Sequence, residues 1–150
     1  IQLIWAGKGP RKKKLQKLAD KVLANPIIIQ FFNKPELIQL LGYCDLYVHA
    51  ADVEIEAMSC MEAFASGLVP VIANSCNSAT PQFALDERSL FEADNSKDLA
   101  EKIDWWIEHP VEREQMELRY AELGKQYALE DCVRQAEAMF EQAVNENHGK

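Results

Sequence analysis

The sequence predicts an α/β fold in which helices cover both faces of one parallel sheet. Short apolar runs alternate along the chain with longer stretches whose apolar residues recur every three or four positions. Strands and helices that alternate in this way form a doubly wound, Rossmann-like parallel sheet. From residue 111 to residue 145 only the helical period is present, so we expect no strand there.

Five runs rich in Ile, Leu and Val predict the strands, at residues 2–6, 27–31, 46–50, 69–73 and 90–92. Helices are predicted between and after them, at residues 11–24, 35–44, 58–66, 78–85, 96–108, 111–127 and 130–145. Ser96 is the expected N-cap of the helix that begins there, and Pro110 is expected to separate two helices. Residues 146–150 follow no pattern and are expected to fray.

Length and composition restrict the class of protein. The chain has 150 residues, of which 48% are hydrophobic, and this is enough for one domain with a full core. The net charge of −8 argues against a general nucleic-acid partner, because a phosphate backbone needs a net basic face. No run approaches the ~18 apolar residues of a membrane span, and no signal peptide is visible. We therefore expect a cytoplasmic chain, and peripheral contact with the cytoplasmic face of a membrane stays open.

Basic residues form one local exception to this acidic balance, in the first loop and the first helix. They are Lys8, Arg11, Lys12, Lys13, Lys14, Lys17 and Lys21. Two interpretations are open: a solvated helix face, or a contact with phosphate or anionic lipid.

The cysteines give no sign of a metal site. Cys44, Cys60, Cys76 and Cys132 have no zinc-type spacing and form no C-x-x-C pair, which favours reduced thiols over disulfides. His49 has no cysteine or second histidine near it in the sequence, so no metal is expected there either.

Glu54 and Glu62 are separated by seven residues, where a predicted strand passes into a predicted helix. Glu54 would lie in the connecting loop and Glu62 one turn into the helix. Side chains on a helix lean toward its N-terminus, so both carboxylates can face one cleft beyond the carboxyl ends of the strands. Carboxylates accept hydrogen bonds from hydroxyls, and the N–H groups at a helix start suit a phosphate. A ligand that combines both chemistries is a nucleotide sugar.

Residues 54–73 resemble the signature of retaining GT-B glycosyltransferases of the glycosyl transferases group 1 family. That signature is a Glu, seven residues, a second Glu, and then Ala-x-Ala-x-Gly shortly before Pro-Val-Ile-Ala. The strand and loop that end in Gly7-Lys8-Gly9-Pro10 are similar to the family's Gly-x-Gly-Pro loop, and Pro81-Gln82 stands where the family usually has Pro-Glu. The resemblance covers roughly residues 1–110. The variants at residues 48–51 and 78–88 resemble those of bacterial cholesterol α-glucosyltransferases, a group within the family.

The resemblance implies a role for each matching residue. Glu54 would be the catalytic-site residue that binds hydroxyls of the donor hexose, and Glu62 would accept both ribose hydroxyls. The N–H groups that follow Glu54 would meet hexose and phosphate; they belong to Ile55, Glu56, Ala57 and Met58. Phe32 and Asn33 resemble the loop that binds the base, mainly through backbone groups that read the uracil edge.

The implied activity is transfer of a hexose, with retained anomeric configuration, from a UDP-sugar that is expected to be UDP-glucose. The expected acceptor is a lipid such as a sterol or diacylglycerol, and neither a metal nor another cofactor is expected. A saccharide acceptor of capsular or lipopolysaccharide synthesis is the nearest alternative. A nucleotide-sugar epimerase and, outside enzymes, a flavodoxin-like binding module are the other readings that the sequence leaves open.

The chain departs from the family pattern directly after Glu54. The family commonly has Gly-Phe-Gly-Leu there, whereas this chain has Ile55-Glu56-Ala57-Met58, so both glycines are replaced and Glu56 adds a negative charge. His49 stands where the family often has Pro, and it is expected to be either a core histidine or a residue near the leaving phosphate.

The given sequence begins at Ile1, directly before a predicted strand. In the family a further strand and loop precede this point and carry an Arg and a Lys for the diphosphate, after a separate acceptor-binding domain. We therefore expect residues 1–150 to be a C-terminal donor-binding domain, truncated at its N-terminus, that binds UDP weakly and transfers nothing alone.

Overall fold

The computed structural model describes residues 1–148, which divide into two compact units, Ile1–Tyr43 and a second unit that begins at Cys44. Residues 149 and 150 lie outside the described part, so the predicted fraying of residues 146–150 falls partly outside it. The last helix continues to His148, three residues beyond its predicted end at Asn145.

The first unit contains β1 (Ile4–Ala6), α1 (Lys12–Val22), β2 (Ile28–Gln30) and α2 (Lys34–Leu41). β1 and β2 pair in parallel, with Ile4 opposite Ile28. Leu15 and Ala19 of α1 pack against Ile27 and Ile29, because these positions recur on one face of the helix. The result is a small strand–helix–strand core, followed by a second helix.

The second unit contains three strands and four helices within the described residues. They are β3 (Leu46–His49), α3 (Met58–Ala65), β4 (Val69–Asn74), β5 (Leu90–Glu92), α4 (Ser96–Glu108), α5 (Pro110–Lys125) and α6 (Leu129–His148). Two short 3₁₀ helices, Thr80–Phe83 and Glu87–Ser89, lie between β4 and β5. The strands pair in parallel in the order β3-β4-β5.

β4 is the central strand, and every residue from Val69 to Ala73 is buried. Successive side chains of a strand point to opposite faces, so both faces of β4 are covered. The buried cluster around it includes Phe64 of α3, Trp106 of α4 and Tyr120 of α5. The Tyr120 hydroxyl accepts a hydrogen bond from the Leu85 N–H at 2.9 Å, which satisfies its polar end in the core.

α3 and α5 approach each other closely at a glycine. A Cβ atom on Gly124 of α5 would lie 2.8 Å from the Ala65 Cα and 3.0 Å from the Phe64 carbonyl carbon. Gly67, with φ +80°, lies just beyond α3 in the left-handed conformation that favours glycine. Both glycines therefore shape the C-terminal end of α3, the helix that carries Glu62.

The α/β class, the parallel pairing and the absence of a strand between residues 111 and 145 are confirmed in the described chain. The prediction of a single sheet differs from the observed ladders, which form one sheet of two strands and one of three. Apolar runs predict where strands lie, but backbone hydrogen bonds decide which strands pair, and β1 and β2 are only three residues long.

Two local predictions are wrong. Residues 78–85 do not form an α-helix, and only the 3₁₀ turn Thr80–Phe83 is present. The Ser78 hydroxyl bonds the Thr80 N–H and side chain, and such local bonds compete with a helix. The N-cap of α4 is Asn95, not Ser96, because the Asn95 side chain accepts from the N–H groups of Lys97 and Asp98.

Pro110 separates α4 from α5, as predicted, with His109 at the junction. All four cysteines are free thiols. Among the described helices, none has the length and apolar character needed to cross a membrane.

Candidate functional site

Two loops lie beyond the carboxyl ends of β3 and β4, and backbone hydrogen bonds join them. The Glu54 carbonyl accepts from the Ala79 N–H at 2.9 Å, and Glu54 forms an isolated parallel bridge with Ser78. The Ser75 hydroxyl lies 2.7 Å from both the carbonyl and a carboxylate oxygen of Asp52. These hydrogen bonds hold the backbone around Glu54 in place independently of the Glu54 side chain.

The Glu54 carboxylate is held by the N–H groups that follow it. Its Oε1 accepts from the Ile55 N–H at 2.9 Å and from the Glu56 N–H at 3.3 Å. Hydrogen bonds from the N–H groups of Ala57 and Ile55 lower the pKa of the Glu54 carboxyl, against a smaller opposing effect of burial. The side chain is 32% exposed, so an ionised, oriented carboxylate keeps acceptor capacity toward solvent.

His49, at the end of β3, lies beside this carboxylate. Its Nε2 is 3.9 Å from Glu54 Oε2, and its Nδ1 is 3.1 Å from the Tyr47 hydroxyl, which donates to the Ser59 hydroxyl at 2.8 Å. Burial lowers the pKa of His49, and the charge of Glu54 opposes this effect. The imidazole is therefore neutral at pH 7. It is a buried histidine bonded to a side chain, and it also borders Glu54.

His49 should make stability depend on pH. Because its pKa lies below the ordinary value of 6.5 in the folded chain, the unfolded chain binds this proton more readily. Stability contributed by neutral His49 is thus present above about pH 6.5 and falls as the pH drops toward the lowered pKa. The loss of stability between about pH 7.5 and about pH 5.5 is expected to be smaller in His49→Gln, as measured by urea unfolding.

The other histidines remain in both proteins, and Glu54 protonates at lower pH because its pKa is below 4.5. The difference between wild type and variant therefore isolates His49. An unchanged pH dependence in His49→Gln would contradict the assignment of a lowered pKa.

Glu62 is the fifth residue of α3, one turn into the helix as predicted. Burial raises the pKa of the Tyr47 hydroxyl, and the charge of Glu62 adds to this rise. Burial likewise raises the pKa of the Cys60 thiol to about 12, and the charge of Glu54 adds to it. Tyr47 thus lies within electrostatic range of the Glu62 carboxylate, and Cys60 lies within range of the Glu54 carboxylate.

α3 begins at an unusual backbone conformation. Its N-cap, Ala57, has φ 52° and ψ 50°, in the left-handed region, and is buried. An L-residue with a Cβ pays roughly 1–2 kcal/mol for this conformation, whereas glycine does not. This is the second of the two positions where the resembling family commonly has glycine. In this chain an alanine therefore adopts a conformation that glycine would adopt without this cost.

The remaining loop residues surround the start of α3. Ile55 and Met58 are largely exposed, at 84% and 62%, and Glu56 is exposed. Side chains at these positions are therefore available to a ligand. The Ile55, Glu56 and Ala57 N–H groups already bond Glu54. The N–H groups of Met58 and Ser59, the first two of α3, have no partner within the helix, whereas that of Cys60 donates to the Ala57 carbonyl.

Phe32 and Asn33 belong to the first unit, between β2 and α2. Asn33 forms the capping box of α2: its side chain accepts from the Glu36 N–H at 3.0 Å, and its own N–H donates to the Glu36 carboxylate at 2.9 Å. Its carbonyl accepts from the Leu37 N–H. The structure thus gives Asn33 a role in starting α2, and Phe32 is half-buried. Base contacts by these residues stay predictions.

Four further residues near Glu54 belong to no sequence motif: Tyr47, Asp52, Ser59 and Ser75. Tyr47 and His49 are two residues apart on β3 and so share a face, which is a usable signal. Ser75 follows directly after β4, where ligand-contacting residues of parallel sheets occur. Among residues 1–148 no three His, Cys, Asp or Glu side chains are grouped for a metal ion, and the expectation of a metal-free site stays a prediction.

Comparison with known proteins identifies the family. Residues 1–122 match the sequence model described as glycosyl transferases group 1. The chain belongs to this family. No match was found among curated proteins.

Several solved structures match the fold of this chain. The catalytic domain of cholesterol-α-glucosyltransferase from Helicobacter pylori is 55% identical over 85% of this chain and 80% of that chain, with a TM-score of 0.80. Anabaena HepE in complex with UDP matches with a TM-score of 0.73, and HepE with UDP and glucose with 0.71, both at 18% identity. The chain covers 40% of each HepE chain. The fold is thus that of GT-B glycosyltransferases, in agreement with the family.

Proposed function

We propose that this chain is the donor-binding domain of a retaining glycosyltransferase that transfers glucose from UDP-glucose to a lipid acceptor. The observation that carries the proposal is the Glu54 carboxylate, ionised and oriented by its own loop at the carboxyl end of β3. Such a group is suited to hydroxyls of a hexose. The 55% identity to a cholesterol-α-glucosyltransferase supports glucose as the sugar and a sterol as the acceptor, with diacylglycerol as the alternative lipid.

In this proposal the chain binds and positions the donor. Glu54 accepts hydrogen bonds from hexose hydroxyls through the oxygen that does not bind the Ile55 and Glu56 N–H groups. The start of α3 provides N–H groups and the positive end of a helix dipole for phosphate. Holding the sugar and stabilising the charge of the leaving diphosphate are the contributions that we assign to these residues. The acceptor is assigned to a separate domain.

Residues of each unit are assigned one further contact with the nucleotide. In the second unit Glu62 accepts both ribose hydroxyls. In the first unit the backbone around Phe32 contacts the uracil edge, with Asn33 beside it. The HepE complexes with UDP, whose chains share this fold, support a uridine nucleotide as the ligand class.

Replacing Glu62 by Gln is expected to weaken UDP binding about ten- to a hundredfold, because a charge-assisted contact contributes about 1.5–3 kcal/mol. Calorimetric titration of wild type and variant with UDP measures this. Glu56→Gln is the matched control, since Glu56 is exposed and carries the same charge. Equal affinities of the Glu62→Gln variant and wild type would remove Glu62 from the nucleotide site.

The acceptor class has its own test in the full-length protein. We expect radiolabelled glucose from UDP-glucose to reach cholesterol or diacylglycerol in detergent micelles, and not a water-soluble oligosaccharide. Transfer to the oligosaccharide alone would contradict the assignment of a lipid acceptor but not the assignment of UDP-glucose as the donor.

A further inference from the structure

α1 carries a lysine face, which we define as Lys13, Lys14, Lys17 and Lys21. Together with Leu18 these residues line one shallow surface depression. They recur at spacings of three and four residues, so they lie side by side on the helix. Leu15 and Ala19 form the opposite side of α1, which packs on Ile27 and Ile29. The lysine face therefore points away from the core of the first unit.

Repulsion between the lysines of this face destabilises α1. Lys13, Lys17 and Lys21 follow one another at intervals of four residues, a spacing at which like charges destabilise a helix. The first turn of α1 contains no acidic residue, so its lysines also face the positive end of the helix dipole. Asp20, the one acid in α1, is bonded by the Gln16 amide at 2.8 Å. In the described chain, no salt bridge includes any of the four lysines.

The charge of the chain is divided unevenly. Residues 1–43 contain eight lysines and arginines against Asp20 and Glu36, which gives +6. The whole chain carries −8, so residues 44–150 carry −14. At about 0.1 M salt a charge acts strongly only within about 10 Å, so a partner at the lysine face is attracted mainly by these four lysines. The basic residues of the first unit thus favour an anionic partner at α1.

Exposed apolar side chains lie on α1 along one edge of the lysine face. Leu18, 57% exposed, lines the depression with the lysines, and Val22, four residues later and 68% exposed, lies between Leu18 and the packed side of the helix. A helix that combines lysines with such side chains suits a bilayer interface, where ammonium groups meet lipid phosphates and apolar groups enter the acyl boundary. Nucleic acid is the weaker match, because the lysine face has no aromatic side chain for a base and the whole chain is acidic.

We propose that the lysine face of α1, with Leu18 and Val22, binds the surface of an anionic lipid bilayer. This interaction goes beyond donor binding and does not depend on the assigned nucleotide residues. It places the enzyme where a lipid acceptor resides. If vesicle binding fails, UDP binding and transfer remain separately measurable, so failure of this inference and failure of the proposed function are distinguishable.

Flotation with vesicles of about 30% phosphatidylglycerol in phosphatidylcholine tests the proposal, with pure phosphatidylcholine vesicles for comparison. The wild-type chain should bind the anionic vesicles and not the neutral ones. The variant K13Q/K14Q/K17Q/K21Q should bind the anionic vesicles at least about a hundredfold more weakly, because each lysine near such a surface contributes about 1 kcal/mol. Raising the salt from about 0.1 M to about 0.5 M should also weaken wild-type binding.

The control variant K97Q/K102Q/K125Q/R134Q removes the same charge from the second unit and should bind like wild type. Far-UV circular dichroism checks that both variants fold. Equal vesicle binding by the lysine-face variant and the control, or no anionic-vesicle binding by wild type, would overturn the proposal. Tighter binding of a duplex DNA probe than of the anionic vesicles would overturn it in favour of nucleic acid.

Discussion

Replacing Glu54 by Gln in the proposed enzyme is expected to lower the rate of glucose transfer by about a hundred- to a thousandfold. The substitution keeps the size of the side chain but removes the charge. The carboxylate that the Ile55 and Glu56 N–H groups hold in place would become a neutral amide. The contact of Glu54 with the hexose is expected to strengthen in the transition state, so kcat and kcat/KM should both fall.

UDP contains no hexose, so its affinity for the Glu54→Gln variant is expected to stay within about threefold of wild type. Initial rates with UDP-glucose and calorimetry with UDP measure the two effects. Glu56→Gln, two residues further along the same loop, is the matched control and should retain most activity. If Glu54→Gln weakens UDP binding as strongly as Glu62→Gln does, the division of roles between sugar and ribose is wrong.

Replacing Gly124 by Ala is expected to destabilise the protein by about 1–3 kcal/mol, even though Ala is the better helix former. Helix propensity alone would favour Ala by about 1 kcal/mol. The new Cβ would lie 2.8 Å from both the Cα and the N of Ala65, and these backbone atoms cannot rotate away. The contact should therefore force α3 and α5 apart and outweigh the gain in propensity.

Urea unfolding of wild type and variant measures the change in free energy of unfolding. Gly9→Ala is the control, because no atom lies within 4 Å of a Cβ built at Gly9. A stabilised Gly124→Ala variant would show that α3 and α5 are not packed backbone to backbone. Since α3 carries Glu62, the destabilised variant should also lose UDP affinity.

Much of the fold follows from the sequence because burial leaves a local pattern. The run from Val69 to Ala73 has no polar residue, and it forms the strand that is buried on both faces. The pairing of strands depends on backbone hydrogen bonds between distant segments, and periodicity carries no information on it. Asn95 and Ser96 are both good N-cap residues, so only the geometry decides that Asn95 caps α4.

The candidate site was predictable where the motif fixes chain positions. Glu54 lies in the loop and Glu62 in the helix, as their spacing indicated. The contacts of Tyr47 with His49 and Ser59 were not predictable, since they join residues from two elements through side chains. The left-handed Ala57 was also unexpected, because that backbone conformation normally selects glycine.

The central claim is that this chain binds a uridine nucleotide sugar through the loop after β3. Amide NMR spectra recorded during titration with UDP-glucose test it most directly, because they detect weak binding and report position. We expect chemical-shift changes at residues 55–59 and at Glu62 in the second unit, and at Phe32 and Asn33 in the first, with FMN and ATP leaving these signals unchanged. Unchanged signals at residues 55–59 and Glu62 with UDP-glucose, or equal changes with FMN or ATP, would contradict the claim.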